Sequence, residues 1–268
     1  MIIDSHRHVW DTTETPISWI QESDLPPHES LPSREAAGYD GARRYVLIEA
    51  DADDPFAEAE YLLALARQDR RIHGVVPSLA LEERTHREVL ERWAETPEVV
   101  GVRRLLQDRD LFTSEHLHAN LRIMAEHGVP FDACVRAHQL PQLAEFVQRH
   151  PRLTVVLDHM GKPPLEDSSL MSTWRRDLER LAQVPQVVCK LSGLPAEARD
   201  LDQLESRTAE VIGGALETFG AERCLVGSDE PVSRDPRDWC RRVLQMTPSP
   251  EREQVARLTA ETVYSRRG

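Results

Sequence analysis

Residues 131–159 read FDACVRAHQLPQLAEFVQRHPRLTVVLDH and contain one complete strand-helix-strand unit. The apolar runs at 131–135 and 154–159 have the length and composition of buried strands, and the apolar residues of 139–150 have helical spacing. The two strand starts are 23 residues apart, which is enough for a right-handed crossover between parallel neighbours. The unit therefore predicts a parallel sheet covered by helices.

The same unit recurs along the whole chain. Eight strand-like runs are predicted, at residues 2–8, 45–50, 73–79, 99–105, 131–135, 154–159, 187–192 and 224–229. Eight such units in 268 residues predict an α/β protein, a closed (β/α)8 TIM barrel in a single domain, 1–268. An open doubly wound sheet is the alternative, but no strand is followed by a GxGxxG or GxxxxGK[ST] turn. We therefore expect no organic cofactor.

The charge composition of the chain limits which binding partners are expected. The chain has 33 basic and 46 acidic residues, a formal net charge of -13, which disfavours binding to nucleic acid or to an anionic membrane. No apolar run approaches the length of a membrane span, and the N-terminus does not resemble a signal peptide, so we expect a cytoplasmic protein.

The four cysteines have no CxxC spacing and are predicted to be free thiols. The oligomeric state stays open, with a homo-oligomer as one alternative.

The active site of such a barrel lies at the carboxyl ends of its strands. Six of the eight predicted strands end in ionisable residues, which would meet at one mouth. These are His6 and His8, Glu49, Arg103, Asp158 and His159, Lys190, and Asp229.

His6 and His8 are two residues apart, so on a strand their side chains point the same way and can hold a metal ion or one substrate group. Asp229 ends the last strand, which neighbours the first in a closed barrel, and a carboxylate there suits a general base. Its structural alternative is a helix cap. His159 is read as a ligand or polariser, with a core histidine as the alternative.

Four further residues are candidates for substrate binding: Arg103, Glu49, Lys190 and Trp19. Arg103 could hold a carboxylate or polarise a carbonyl, with an ordinary ion pair as the alternative. Lys190 is one of only two lysines, and its alternative is a buried ion pair with Glu49 or Asp229. The long interval 9–44 is predicted to be a loop over the barrel mouth, with Trp19 contributing to the substrate pocket.

Six motifs in this order carry a resemblance to a known family. They are IDSHRHVWD from residue 3, GVRRLLQD from 101, VLDHMGKPP from 156, VVCKLSGL from 187, CLVGSDEPVS from 224 and TAETVYS from 259. With them the sequence resembles the amidohydrolase superfamily, and within it the amidohydrolase-2 group of sugar lactonases, to which L-fuconolactonases and L-rhamnonolactonases belong. The resemblance covers nearly the whole chain.

The resemblance implies a barrel that opens lactone rings to hydroxy acids. It implies that four residues line the site, namely His6, His8, His159 and Asp229. They would hold at most one divalent ion, with zinc the first candidate. The substrate would be a small-molecule lactone. Two positions depart from the group's usual pattern, because Glu230 stands where it has Trp and Arg104 where it has His. The fifth predicted strand, 131–135, also lacks a histidine at its end, which argues against a binuclear metal site.

We therefore interpret the protein as a hydrolase that opens a sugar aldonolactone or a carboxylated lactone. In this interpretation Asp229 is the general base and acid, and the histidines polarise the carbonyl. A decarboxylase or an amide hydrolase on the same barrel is the alternative within enzymes, since a fold does not fix a reaction. The alternative outside catalysis is a barrel that binds a sugar acid without turnover.

Overall fold

A computed structural model of the protein describes residues 1–32, 43–84, 86–233 and 238–265. These ranges contain ten strands. They are β1 (Ile2–Arg7), β2 (Trp10–Asp11), β3 (His28–Glu29), β4 (Arg43–Ile48), β5 (Ile72–Val76), β6 (Val102–Leu105), β7 (Phe131–Cys134), β8 (Val155–Leu157), β9 (Val187–Leu191) and β10 (Cys224–Val226). Each of the eight predicted strands is present, and β2 and β3 are an additional short pair.

The eight strands other than β2 and β3 pair in parallel and in chain order. One sheet has the order β1-β4-β5 and the other the order β6 to β10. Isolated parallel bridges join the two sheets at both seams, between Val75 and Val99 on one side and between Arg7 and Glu230 on the other. The architecture is the predicted (β/α)8 TIM barrel, and the open doubly wound alternative is wrong.

Ten α-helices lie in the described ranges, and the longer ones cover the outside of the barrel. They are α1 (Ser18–Gln21), α2 (Pro55–Gln68), α3 (Arg87–Ala94), α4 (Glu115–Glu126), α5 (Leu140–Val147), α6 (Ser168–Ala182), α7 (Leu194–Glu197), α8 (Leu201–Phe219), α9 (Trp239–Met246) and α10 (Thr259–Val263). Asp54, Asp167 and Asp200 begin α2, α6 and α8 by accepting hydrogen bonds from backbone amides of the first turn. None of these helices has the length and apolar character needed to span a bilayer.

Alternate residues of the strands form two separate cores. Val155 and Leu157 of β8 pack in the large core under the helices, while Val156 between them packs in a small core inside the barrel. The small core also contains Val188 of β9 and, from the end of the chain, Tyr264. The next inward positions after Val156 and Val188 are Asp158 and Lys190, so polar residues lie directly above this apolar floor.

A pairing irregularity in β1 directs the side chain of His6 into the barrel. Ile3 packs inside the barrel, so strict alternation would direct the even-numbered residues of this strand outward. The register with β4 shifts between Asp4 and Arg7, as at a β-bulge. The shift lets His6 lie inside the barrel only three residues after Ile3, and such bulges often redirect a side chain near an active site.

The segment after β1 packs on the turns that follow β4 and β10. Trp10, Ile17 and Ile20 form a small core with Ala50, and Trp19 and Val232 pack against it. Part of the predicted loop 9–44, residues 33–42, lies outside the described residues. Trp10 is buried in this small core. All four cysteines are buried and free, as predicted.

Candidate active site

Three histidines converge on one oxygen of Asp229. The distances to Asp229 Oδ1 are 3.2 Å from His8 Nε2, 3.4 Å from His6 Nε2 and 3.7 Å from His159 Nε2. All four side chains are at most 5% exposed. The structure thus brings together the four residues predicted to be catalytic or metal-binding, which come from β1 and from the residues just after β1, β8 and β10.

Asp229 is held from both sides. Its backbone amide donates to the His6 carbonyl at 2.7 Å, and Ser233 Oγ donates to its second oxygen, Oδ2, at 2.6 Å. Burial alone would raise the pKa of Asp229, but its electrostatic interactions with His159 and its contact with His8 lower it below its usual range. Asp229 is therefore an ionised carboxylate whose Oδ1 faces the histidines. It does not cap a described helix.

His159 sits in an unusual backbone conformation. Residues 159, 160, 161 and 162 all have positive φ, between 51° and 70°, so they form a left-handed turn. Trp174 Nε1 donates to the Met160 carbonyl at 2.8 Å and anchors this turn, while Ser192 Oγ is 2.9 Å from His159 Nδ1. Burial lowers the pKa of His159 to about 4, so its imidazole is neutral at neutral pH.

Gly193 leaves the space that the His159 ring occupies. A Cβ at residue 193 would lie 2.3 Å from His159 Nδ1, and its φ of +70° also disfavours other residues. We expect Gly193→Ala to displace the ring and lower kcat/KM about 100-fold, the loss typical of a misplacement near 1 Å. Steady-state kinetics with a thermal melt would measure this.

Gly213 in α8 provides the matched control for that substitution. A Cβ there meets nothing within 4 Å, so Gly213→Ala should leave kcat/KM unchanged and raise stability by about 0.4 to 1 kcal/mol. Equal activity of the two variants would contradict the role given to Gly193.

The other two histidines are fixed by their Nδ1 atoms. His8 Nδ1 lies 3.1 Å from the Ile48 carbonyl, which can only accept, so this nitrogen carries a proton. His6 Nδ1 lies 3.1 Å from Lys190 Nζ and 3.4 Å from Asp158 Oδ1. Burial and the Lys190 charge lower the pKa of His6 well below its usual value.

A buried network of charged side chains contacts His6 at its Nδ1 atom. Lys190 is completely buried, and its ammonium donates to Asp132 Oδ2 at 2.5 Å and lies 3.0 Å from Asp158 Oδ1. Tyr264 Oη donates to the same Asp132 oxygen at 2.6 Å. Sequence reasoning missed Asp132 and Tyr264. An acid inside the apolar strand FDACV and a tyrosine in the TAETVYS motif were the available signals.

Arg103 and Glu49 are partners of each other. Arg103 Nη1 donates to Glu49 Oε1 at 2.6 Å, and its Nε donates to Asp158 Oδ2 at 2.8 Å. The ion-pair alternatives for Arg103 and Lys190 are therefore present, although Lys190 pairs with Asp132 and Asp158 and not with Glu49 or Asp229. Trp19 is half-buried, and its Nε1 donates to the Ala50 carbonyl at 2.7 Å. The substrate-binding roles of these four residues stay predictions.

The two departures from the family pattern have partners of their own. Glu230 Oε2 accepts a hydrogen bond from Arg7 Nη1 at 2.5 Å, so its carboxylate is held by Arg7 and not by the histidine cluster. Arg104 forms an ion pair with Glu82.

Two groups of described residues could hold a metal ion. The ligand atoms of His6, His159 and Asp229 lie within 4.8 Å of one another, as do those of Cys134, Asp158 and His159. The first group suits a metal better because His6 Nε2 is a buried nitrogen without a hydrogen-bond partner. In the second group Asp158 already neutralises Arg103, and burial raises the pKa of the Cys134 thiol to about 11.

The site thus combines a TIM barrel with histidines in and just after its first strand and an aspartate after its last strand. A family model described as amidohydrolase matches residues 3–266, and the chain belongs to that family.

Curated relatives and a solved structure are similar over most of their lengths. An L-fucono-1,5-lactonase of Burkholderia multivorans is 34% identical over 248 residues, covering 86% of this chain and 82% of that protein. The L-fucono-1,5-lactonase of Burkholderia ambifaria is 31% identical over 241 residues, covering 87% and 81%. The crystal structure of a Burkholderia multivorans amidohydrolase with bound zinc superposes with a TM-score of 0.85 at 28% identity, over 100% of both chains.

Proposed function

We propose that this protein hydrolyses the ring ester of a small sugar lactone to the open hydroxy acid. The observation that carries the proposal is the ionised Asp229 oxygen, which faces three histidine nitrogens at the mouth of the barrel. Two relatives above 30% identity are lactonases, and they support a lactone as the substrate. They favour it over an amide, the substrate of an amide hydrolase, and over a carboxylate, the substrate of a decarboxylase.

In the proposed reaction Asp229 Oδ1 takes a proton from a water molecule as the water attacks the lactone carbonyl. The carbonyl carbon becomes tetrahedral, its bond to the ring oxygen breaks, and Asp229 returns the proton to that oxygen. Ser233 donates to the other carboxylate oxygen, Oδ2, so we assign the proton transfer to Oδ1, which faces the histidine cluster. The histidine cluster stabilises the negative charge that develops on the carbonyl oxygen.

We also propose one zinc ion, held by His6, His159 and Asp229, with His8 beside them. His6 Nε2, a buried nitrogen without a hydrogen-bond partner, is the atom that would face the metal, while His6 Nδ1 lies between Lys190 and Asp158 on the other side of the ring. When bound, such an ion polarises the substrate carbonyl as a Lewis acid.

Zinc binding can be measured without activity. Titration of metal-free protein should reveal one bound equivalent and a rise in Tm, because a ligand of the folded state stabilises it. His159→Ala should abolish both effects, and Ser192→Ala should lower the affinity roughly 10- to 100-fold, as loss of a supporting hydrogen bond does. The exposed His127→Ala is the control. Unchanged zinc affinity in His159→Ala would refute this ligand set.

We further propose that the chain, 1–268, forms one domain in which residues 9–32 of the predicted loop 9–44 cover the barrel mouth. Two hydrogen bonds support this arrangement. Trp19 Nε1 donates to the Ala50 carbonyl, and Ser18 Oγ donates to Asp53 Oδ2 at 2.7 Å. Both partners lie in the turn that follows β4.

The proposed reaction is tested by acid release in weakly buffered solution with a pH indicator. The panel contains uncharged aldonolactones, carboxylated lactones, an amide and an aromatic carboxylate. Ring opening with acid release supports the proposal. Release of ammonia or carbon dioxide, or ligand-induced stabilisation without turnover, would replace it with the corresponding alternative.

A further inference from the structure

The left-handed turn after β8 places a second functional group beside His159. The Lys162 amide donates to the His159 carbonyl at 2.9 Å, which closes the turn and sets the two side chains three residues apart on it. Gly161 makes this path possible, because its φ is +70° and a Cβ there would lie 2.7 Å from Leu140. The side chain of Lys162 is 17% exposed, unlike the fully buried Lys190.

Lys162 lies at one side of a cavity of about 560 Å³. We call this cavity the Lys162 groove. Pro163, Pro164 and Leu170 contribute apolar surface, and Arg136 and Glu197 contribute charged groups. None of the residues assigned to catalysis or metal binding above lines it. A pocket of this size with an apolar wall and few polar groups has the usual character of a small-molecule site.

The groove is electrostatically connected to the catalytic carboxylate. Burial lowers the pKa of Lys162, but Cys134, Glu197 and Asp229 together raise it above its usual value. The Lys162 ammonium is in turn one of the charges that lower the pKa of His159. Lys162 connects the two sites geometrically as well, because its side chain lines the groove and its amide donates to the carbonyl of His159 at 2.9 Å.

The charges of the groove are paired. Lys162 Nζ donates to Glu197 Oε1 at 2.7 Å, and Arg136 Nε donates to Asp108 Oδ2 at 2.7 Å. Glu166 and Asp167 also line the groove, so its three acidic residues outnumber its two basic ones and an anionic ligand gains no net attraction. An ammonium with a spare proton beside a carboxylate with spare lone pairs can donate to and accept from hydroxyl groups.

We propose that the Lys162 groove binds the hydroxylated substituent of an uncharged lactone, with Lys162 and Glu197 as specificity-determining residues. This inference rests on the proposed function and selects the uncharged sugar lactone over the carboxylated one. The apolar wall of Pro163, Pro164 and Leu170 contacts the carbon backbone of the substituent, while the ion pair binds its hydroxyls.

The test compares kcat/KM for an uncharged six-carbon aldono-1,5-lactone with kcat/KM for unsubstituted δ-valerolactone. Lys162→Met and Glu197→Gln should each lower the ratio of the two values about 10- to 100-fold, the size of a lost hydrogen bond to a charged group. Arg199→Met removes an exposed ion pair with Asp200 outside the groove and should leave the ratio unchanged. Thermal melts establish that each variant folds.

Each remaining outcome decides between the two proposals. An unchanged ratio in both groove variants overturns the assignment of the groove, as does a wild-type preference for a carboxylated lactone that Lys162→Met abolishes. If the wild-type protein opens no lactone at all, the proposed function fails and the groove assignment falls with it. Turnover of lactones with an unchanged ratio leaves the proposed function standing and removes only the groove.

Discussion

Asp229→Asn is expected to lower kcat for lactone hydrolysis about 100- to 10,000-fold, the usual contribution of a positioned general base. The amide keeps the size of the carboxylate and can still accept from Ser233, but it cannot take a proton from water. The effect should fall on kcat more than on KM, because the proton moves only in the chemical step.

Asp200→Asn is the matched control for this substitution. Asp200 begins α8 by accepting from the Gln203 amide at 2.8 Å, a role that asparagine also performs, so activity and Tm should stay at their wild-type values. Initial rates of acid release and circular dichroism spectra of the three proteins complete the measurement. An Asp229→Asn enzyme that keeps more than a tenth of the wild-type kcat would exclude Asp229 as the base.

Lys190→Met is expected to destabilise the protein by about 3 to 5 kcal/mol, which is typical when one partner of a buried ion pair is removed. Asp132 and Asp158 would remain as buried carboxylates without this ammonium, and His6 would lose the group beside its Nδ1. We therefore expect activity to fall in whatever fraction of the variant still folds.

Lys162→Met is the matched comparison because the chain has no third lysine. The Lys162–Glu197 pair is partly exposed, so its loss should cost only about 0 to 1 kcal/mol. Chemical denaturation of both variants gives the two free energies of unfolding. Equal losses would mean that the buried network contributes no more than a surface ion pair.

Tyr264→Phe keeps this prediction testable if Lys190→Met does not fold. It removes only the hydrogen bond to Asp132, with an expected loss of about 1 to 3 kcal/mol. A neutral effect would contradict the proposed importance of this network for stability.

The strands and the polar residues at their ends could be predicted because both are local properties of the chain. Apolar runs such as 154–159 mark buried strands wherever they occur, and a parallel barrel brings all their carboxyl ends to one mouth. The sequence therefore predicted that His6, His159 and Asp229 would meet, although residues 6 and 229 lie at opposite ends of the chain.

Which charged groups pair with each other depended on the tertiary structure. Lys190 lies near the carboxyl end of the apolar strand β9, and its neighbours are Asp132 from β7 and, through Asp132, Tyr264 after α10. Strand periodicity predicts that a side chain points into the barrel. It does not predict which other inward-pointing side chain it contacts there. The pairing of Arg103 with Glu49 was decided in the same way.

The sequence by itself determined the barrel, its eight strands and the catalytic mouth, because hydrophobic periodicity and strand ends are local signals. Only the tertiary structure decided the bulge that aims His6 inward and the left-handed turn that carries His159 and Lys162. Both features depart from the regular backbone that periodicity assumes. They are stabilised by contacts with distant residues, such as the hydrogen bond from Trp174 to Met160, which no local pattern contains.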